Sequence, residues 1–223
     1  MKFNLEGVIP AMLTPFTKRG ERVDYEKACA LALRLAGQGV YGLFPCGTTG
    51  EGMLMTLDER KRLIAEVVKA VRGRVKVIAH TGCFDTASTI ELTCHALEAG
   101  ADAAGVVAPG FYGYDDEALM QHFGAVAKAA KGGPVLLYNI PGCAKNVLSP
   151  KLIIELANRY DNIVGMKDSS GNMSALTQIL AHAPQGFNVI NGVDEYSFQA
   201  LLAGAKGCVS STANVVPELF LAI

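Results

Sequence analysis

The stretch "TLDERKRLIAEVVKAVRGRVKVIAH", Thr56–His80, changes period part-way along. In its first part Leu63, Val67 and Val71 recur at helical spacing, and Gly73 follows as a stop. Thr56 and Glu59 open it with the spacing of a capping box. Then "VKVIAH" is a short apolar, β-branched run of the kind that forms a buried strand. A helix feeding straight into such a strand is half of the unit from which parallel sheets are built.

The unit repeats on both sides. "GVIPAML", "YGLFPC", "VKVIAH", "AAGVVAP", "PVLLYN", "NIVGMK", "FNVING" and "KGCVSS" make eight candidate strands, about 25 to 35 residues apart. Seven whole helices fit between them, with Asp24 capping "YEKACALALRLAG" and Ser149 standing before Pro150 as N-cap and first helical residue. Eight strand-helix units predict a closed (β/α)8 TIM barrel. An open doubly wound sheet is the alternative, but the G-x-G-x-x-G turn that would favour it is absent after "IPAMLTPF". "VVPELFLAI" opens an eighth helix near Pro217 and the sequence stops inside it. The expectation is one barrel domain over residues 1–223, with its last helix cut short and the native protein continuing past Ile223.

Composition narrows the function. A chain of 223 residues, half of them hydrophobic, can bury a large core. Its formal net charge is -1 and its 20 basic residues are scattered, which leaves no electrostatic footprint for nucleic acid or an anionic membrane. A small molecule or a second copy of the chain is the expected partner. The six cysteines lack any Cys-x-x-Cys pair, which argues against a zinc site and a disulfide scaffold and for reduced thiols in a cytoplasm. The N-terminus has no signal-peptide run, and no segment approaches the roughly 20 apolar residues of a membrane span.

In parallel barrels the chemistry sits where the strands run into their following loops. The residues there are Thr14, "CGTTGEG", "HTGC", "PGFYGY", Tyr138 and Asn139, Lys167 and Asp168, "NGVDE" and "SSTAN". One convergent polar rim is implied. Lys167 ends an apolar strand, where lost hydration disfavours the ammonium form and leaves an amine able to attack a ketone. The resulting protonated Schiff base is an electron sink, so an adjacent carbon-carbon bond can form or break. Tyr138 ends the neighbouring strand, and its phenol could shuttle protons there. "GTTGEG" presents two hydroxyls and several backbone N–H groups suited to a carboxylate, and lacks the Gly-Lys-Ser/Thr ending of a nucleotide-binding loop. Plainer readings exist: Lys167 paired with Asp168, Tyr138 as a core residue, "GTTGEG" as a glycine turn with a capping threonine.

"GTTGEG", "YNIP" and "GMKDSSG" follow one another at intervals of about 90 and 30 residues. In that order they resemble the dihydrodipicolinate synthase / N-acetylneuraminate lyase family, over a range from "GVIPAMLTPF" to "STANVVPELF". The resemblance implies a (β/α)8 barrel, a homotetramer, and no metal or organic cofactor. It implies that Lys167 forms a Schiff base with pyruvate or another 2-oxo acid, that Tyr138 shuttles protons, and that Thr48 and Thr49 bind the carboxylate and relay protons. The family's intersubunit tyrosine would fall, counted without gaps from Pro109, on Phe111; the tyrosine here is its neighbour, Tyr112.

Two departures bear on the second substrate. The family's synthases follow "YN-P" with an arginine that grips a carboxylate, and this chain has Cys143 there, with Lys145 as the only nearby substitute. "IAHTGC" and "INGVDEYSFQALLAGA" instead resemble the lyase branch, whose positions for a polyhydroxylated tail match Gly192, Asp194, Glu195, Ser169 and Ser211. Asp194 also stands where it could cap the helix "EYSFQALLAG". Three functions follow: a lysine Schiff-base aldolase joining pyruvate to an aldehyde, with a sugar-acid-type substrate; dihydrodipicolinate synthase itself; or a non-catalytic barrel that binds a 2-oxo acid. Cys46, Cys83, Cys143 and Cys208 lie on or near the rim with no histidine patterned to activate them, so packing is their expected role. His80 is left out of the catalytic set.

Overall fold

The structure is a computed structural model that describes residues 3–223. Eight strands occupy the eight expected runs, with β6 reaching one residue beyond its run: β1 (Gly7–Pro10), β2 (Gly42–Leu43), β3 (Lys76–His80), β4 (Ala103–Val107), β5 (Val135–Asn139), β6 (Ile163–Asp168), β7 (Asn188–Asn191) and β8 (Gly207–Ser210). The helices are α1 (Tyr25–Ala36), α2 (Leu57–Val71), α3 (Thr86–Glu98), α4 (Asp116–Ala129), α5 (Pro141–Ala144), α6 (Pro150–Arg159), α7 (Met173–His182), α8 (Ser197–Ala203) and α9 (Pro217–Leu221).

All the ladders are parallel, and the strands follow one another in chain order from β2 round to β8 and on to β1. The seam between β1 and β2 is closed by backbone hydrogen bonds. Tyr41 N–H donates to Val8 O and Phe44 N–H to Pro10 O, both at 2.9 Å, and Met12 N–H donates to Phe44 O at 3.1 Å. A ring of parallel strands wrapped by helices is a (β/α)8 barrel, and the open sheet is excluded. β2 is short because Pro45 offers no N–H to a ladder and Cys46 turns the chain away at φ 62°.

Local signals in the sequence produce the helix ends. Thr56 and Glu59 form the reciprocal capping box of α2, while Asp24 accepts from Lys27 N–H and Ser149 from Leu152 N–H. α2 ends with Arg72 in the left-handed region, followed by Gly73 at φ 72°. α9 starts on Pro217. α5, a single turn opened by Pro141, is an addition to the expected helices.

Along β1 to β3, successive residues face opposite sides. Val8, Leu43, Val77 and Ala79 pack with the apolar faces of α1 and α2, whereas Ile9, Phe44 and Ile78 join the larger cluster that fills the barrel and its other half. The inward series matters most at the strand ends, where it becomes polar.

Candidate active site

β5 and β6 are paired so that Tyr138 lies opposite Lys167, and Asn139 opposite Asp168. Alternation along each strand sends the first pair to one face of the barrel wall and the second pair to the other. Lys167 is 5% exposed, and its Nζ lies 4.0 Å from the ring centre of Tyr138 and 4.7 Å from that of Phe44. Asp168 points elsewhere. Its carboxylate accepts from Asn139 Nδ2 at 2.8 Å and from Ser170 Oγ at 3.0 Å. Burial pushes its carboxyl upward, opposed by these hydrogen bonds. Among the described residues Lys167 has no carboxylate partner, so pairing with Asp168 is excluded.

The turn after β2 reaches Tyr138, the ring beside this amine. Thr48 Oγ1 is 3.4 Å from Tyr138 Oη, which links the turn to β5. Thr49, next along, is half-buried. The N–H groups of Thr48 and Thr49 meet no acceptor among the described residues, leaving two donors for an anion. The turn is tightly folded: a Cβ on Gly52 would stand 1.8 Å from Cys46 O. Glycine is required there by contact. A cleft of about 330 Å³ opens above, lined by Thr48, His80, Tyr138, Ile140 and Cys143 among others.

The β6 and β7 loops close the other side. Ser169 Oγ donates to Gly192 O at 3.3 Å, and Gly192 N–H to Asp168 O at 2.7 Å. A Cβ on Gly192 would meet Ser169 Oγ at 2.1 Å and Lys167 Cε at 3.0 Å, so glycine leaves room for the lysine. Asp194 begins a 3-10 turn before α8 without capping it; its carboxylate accepts from Thr212 Oγ1 at 2.7 Å. The capping reading fails. Glu195 and Ser211 are exposed on the rim.

Tyr112 is not among these groups. It stacks edge-on against Phe111 at 4.9 Å, both side chains are exposed, and neither lines the cleft. Cys46, Cys83 and Cys208 are buried as expected, and burial pushes the Cys46 thiol up to about 12 and the Cys208 thiol up to about 11. Cys143 departs from that expectation. It is exposed and lines the cleft, because the single turn of α5 turns it outward. Lys145 caps that turn at φ 65° and is exposed, outside the cleft lining.

Phe44 and Arg60 were not anticipated at the site, and Asn139 was expected on the rim without a role. Phe44 supplies the second ring against Lys167. Asn139 holds Asp168 and also accepts from Leu148 N–H at 3.1 Å. Arg60, only 2% exposed, reaches from α2 to the end of β3. Its signal was present, since an arginine three residues before Leu63 falls on the apolar stripe of that helix.

Comparison with known proteins agrees with this geometry. The model of the dihydrodipicolinate synthetase family matches residues 4–223. The chain belongs to that family. Members are class I lyases that form a lysine Schiff base with pyruvate, so the chain is an enzyme of the carbon-carbon lyase and aldolase class. A 4-hydroxy-tetrahydrodipicolinate synthase of Methanopyrus kandleri is 38% identical over 221 residues, which are 99% of this chain and 73% of that protein. The dihydrodipicolinate synthase of Aquifex aeolicus superposes with a TM-score of 0.94 at 36% identity, covering 98% of this chain and 73% of that one. A prophage protein of the family from E. coli K12, solved in complex with pyruvate, superposes with a TM-score of 0.93 at 33% identity, over 97% and 73% of the two chains. The curated relative carries the name of the synthase, the second of the three functions expected from the sequence, rather than that of a sugar-acid lyase.

Proposed function

We propose that this family member condenses pyruvate with an aldehyde through a Schiff base on Lys167, and that aspartate semialdehyde is the aldehyde, as in the synthases it resembles. The observation that carries the reading is a buried lysine with no carboxylate partner among the described residues, held 4.0 Å from the ring centre of Tyr138. The neutral amine attacks C2 of pyruvate, water leaves, and a protonated imine forms. Loss of a proton from C3 gives the enamine, whose carbon attacks the aldehyde. Tyr138 gives a proton to the alkoxide that forms, and hydrolysis of the imine returns Lys167. Thr48 and Thr49 hold the pyruvate carboxylate with hydroxyls and backbone N–H groups, and no metal or organic cofactor takes part.

Cys143 favours a second reading. The synthases' arginine would lie at its place, and a thiol cannot make a bidentate contact with a carboxylate. An aldehyde with hydroxyls in place of a carboxylate fits a rim bearing Ser169, Asp194, Glu195 and Ser211.

Incubation with pyruvate and borohydride tests the shared chemistry. A reduced pyruvyl adduct is expected on Lys167 and is expected to vanish in Lys167→Ala; an unmodified wild-type protein would sink both readings. A coupled assay then separates them. Turnover with aspartate semialdehyde supports the first, and turnover confined to polyhydroxylated aldehydes replaces it with the second.

A further inference from the structure

His80 ends β3 and lines the cleft beside Thr48 and Tyr138. It is 2% exposed. Burial first, then the charges of Arg60 and Lys167, hold its imidazole well below the usual histidine range, so the ring is neutral and carries one N–H. Nδ1 lies 2.9 Å from Cys46 O and 3.1 Å from Arg60 Nη2. A carbonyl only accepts and a guanidinium only donates, so the two contacts require opposite tautomers.

The surroundings decide between them. Arg60 Nη2 has His80 O at 2.9 Å and Gly82 O at 3.0 Å, while Nη1 has Gly82 O at 3.0 Å and Cys83 Sγ at 3.3 Å. Those protons are placed without the imidazole. Cys46 O has no other donor among the described residues. The proton therefore sits on Nδ1 and is donated to Cys46.

Cys46 is where the chain leaves β2 for the threonine turn. It holds φ 62°, a left-handed conformation that a side chain makes costly, and such a conformation persists only when its surroundings hold it. The same carbonyl packs against Gly52 at the far end of the turn. Arg60 in turn fixes the end of β3 through the His80 and Gly82 carbonyls, so the imidazole has a rigid base. We propose that His80, anchored by Arg60, is a positioning residue for the 2-oxo acid: its Nδ1–H holds the Cys46 carbonyl and thereby sets the turn that offers Thr48 and Thr49 to the substrate carboxylate. The role of the two threonines is taken from the reading above.

Two amide substitutions separate the ring nitrogens. His80→Asn keeps an N–H donor near the place of Nδ1, whereas His80→Gln carries its amide out towards Nε2. The readout is the pyruvate concentration that half-saturates borohydride trapping. It is expected to stay near wild type in His80→Asn and to rise about tenfold in His80→Gln, the loss of one net hydrogen bond. Adduct yield at saturating pyruvate is expected to be equal in all three proteins. A merely structural histidine would lower the melting temperature of both variants and leave the half-saturation point where it was, which would overturn the proposal. Equal weakening in both variants would overturn it too. A wild-type protein that traps normally beside an unshifted His80→Gln removes this role alone, whereas a wild type that traps nothing removes the lysine reading and this role together.

Discussion

Lys167 and Asp168 are neighbours in sequence with opposite fates. One residue of strand is half a pleat, so the lysine enters the barrel among Tyr138 and Phe44 while the aspartate turns to Asn139 and Ser170. With no carboxylate partner among the described residues, the amine is not tied up in an ion pair, and its nitrogen stays beside Tyr138. His122 shows burial acting on a base away from the site. It lies on α4 against α3, its Nδ1 is 2.9 Å from Thr86 Oγ1, and its Nε2 has no partner among the described residues. Burial, only partly opposed by the Asp85 carboxylate, holds it down to about 4 against an ordinary 6.5. Between those two values the unfolded chain takes up a proton that the folded chain refuses, so stability falls as the pH drops through this window and is unaffected above it. Urea unfolding at pH 7.5 and pH 5 should show wild type losing about 2 kcal/mol more than His122→Gln. An equal loss in the two proteins would mean that His122 is charged in the folded state.

At the scale of an element, α2 does two jobs with one face. Leu63, Val67 and Val71 seal the barrel wall, and Arg60 on the same stripe reaches past them to the His80 and Gly82 carbonyls. The position of the helix therefore sets the end of β3. Its start is held by the reciprocal bonds between Thr56 and Glu59, which run from Glu59 N–H to Thr56 Oγ1 at 3.2 Å and from Thr56 N–H to Glu59 Oε2 at 2.9 Å. Thr56→Ala removes the first and leaves an N–H at the helix end to water. A loss of about 1 kcal/mol is expected in denaturant unfolding, with pyruvate trapping unchanged. A large loss of trapping instead would tie the cap to the neighbouring threonine turn.

The whole molecule depends on a second seam, where the first strand meets the last. Asn214, after β8, is 2% exposed and accepts from Leu13 N–H at 3.1 Å while donating to Ala11 O at 2.7 Å and Ser211 O at 2.9 Å. Arg34 of α1 donates to the Asn214 carbonyl. One side chain thus ties the segment after β1 to the loop after β8, some 200 residues away in the chain. Asn214→Ala leaves the part-buried Leu13 N–H without its acceptor and takes a donor from two carbonyls, at a cost of about 3 kcal/mol in the unfolding free energy from denaturant titration. A change within about 0.5 kcal/mol would show that the backbone bonds close the seam unaided. The strands, the main helices and their caps were legible beforehand because they rest on contacts a few residues apart: β-branched runs, a 3.6-residue stripe, a threonine and a glutamate at capping distance. Lys167 and Tyr138 were legible because a lysine closing an apolar run is chemically conspicuous and adjacent parallel strands put their ends side by side. The single turn of α5, the exposure of Cys143 and the hold of Arg60 and His80 on Cys46 were not, since each depends on groups brought together by closure. The sequence by itself determined the alternation of elements and the residue types on one rim, through local backbone and side-chain preferences. Only the tertiary structure decided which rim groups meet and which nitrogen of His80 carries its proton, because those follow from distances between residues that are remote along the chain.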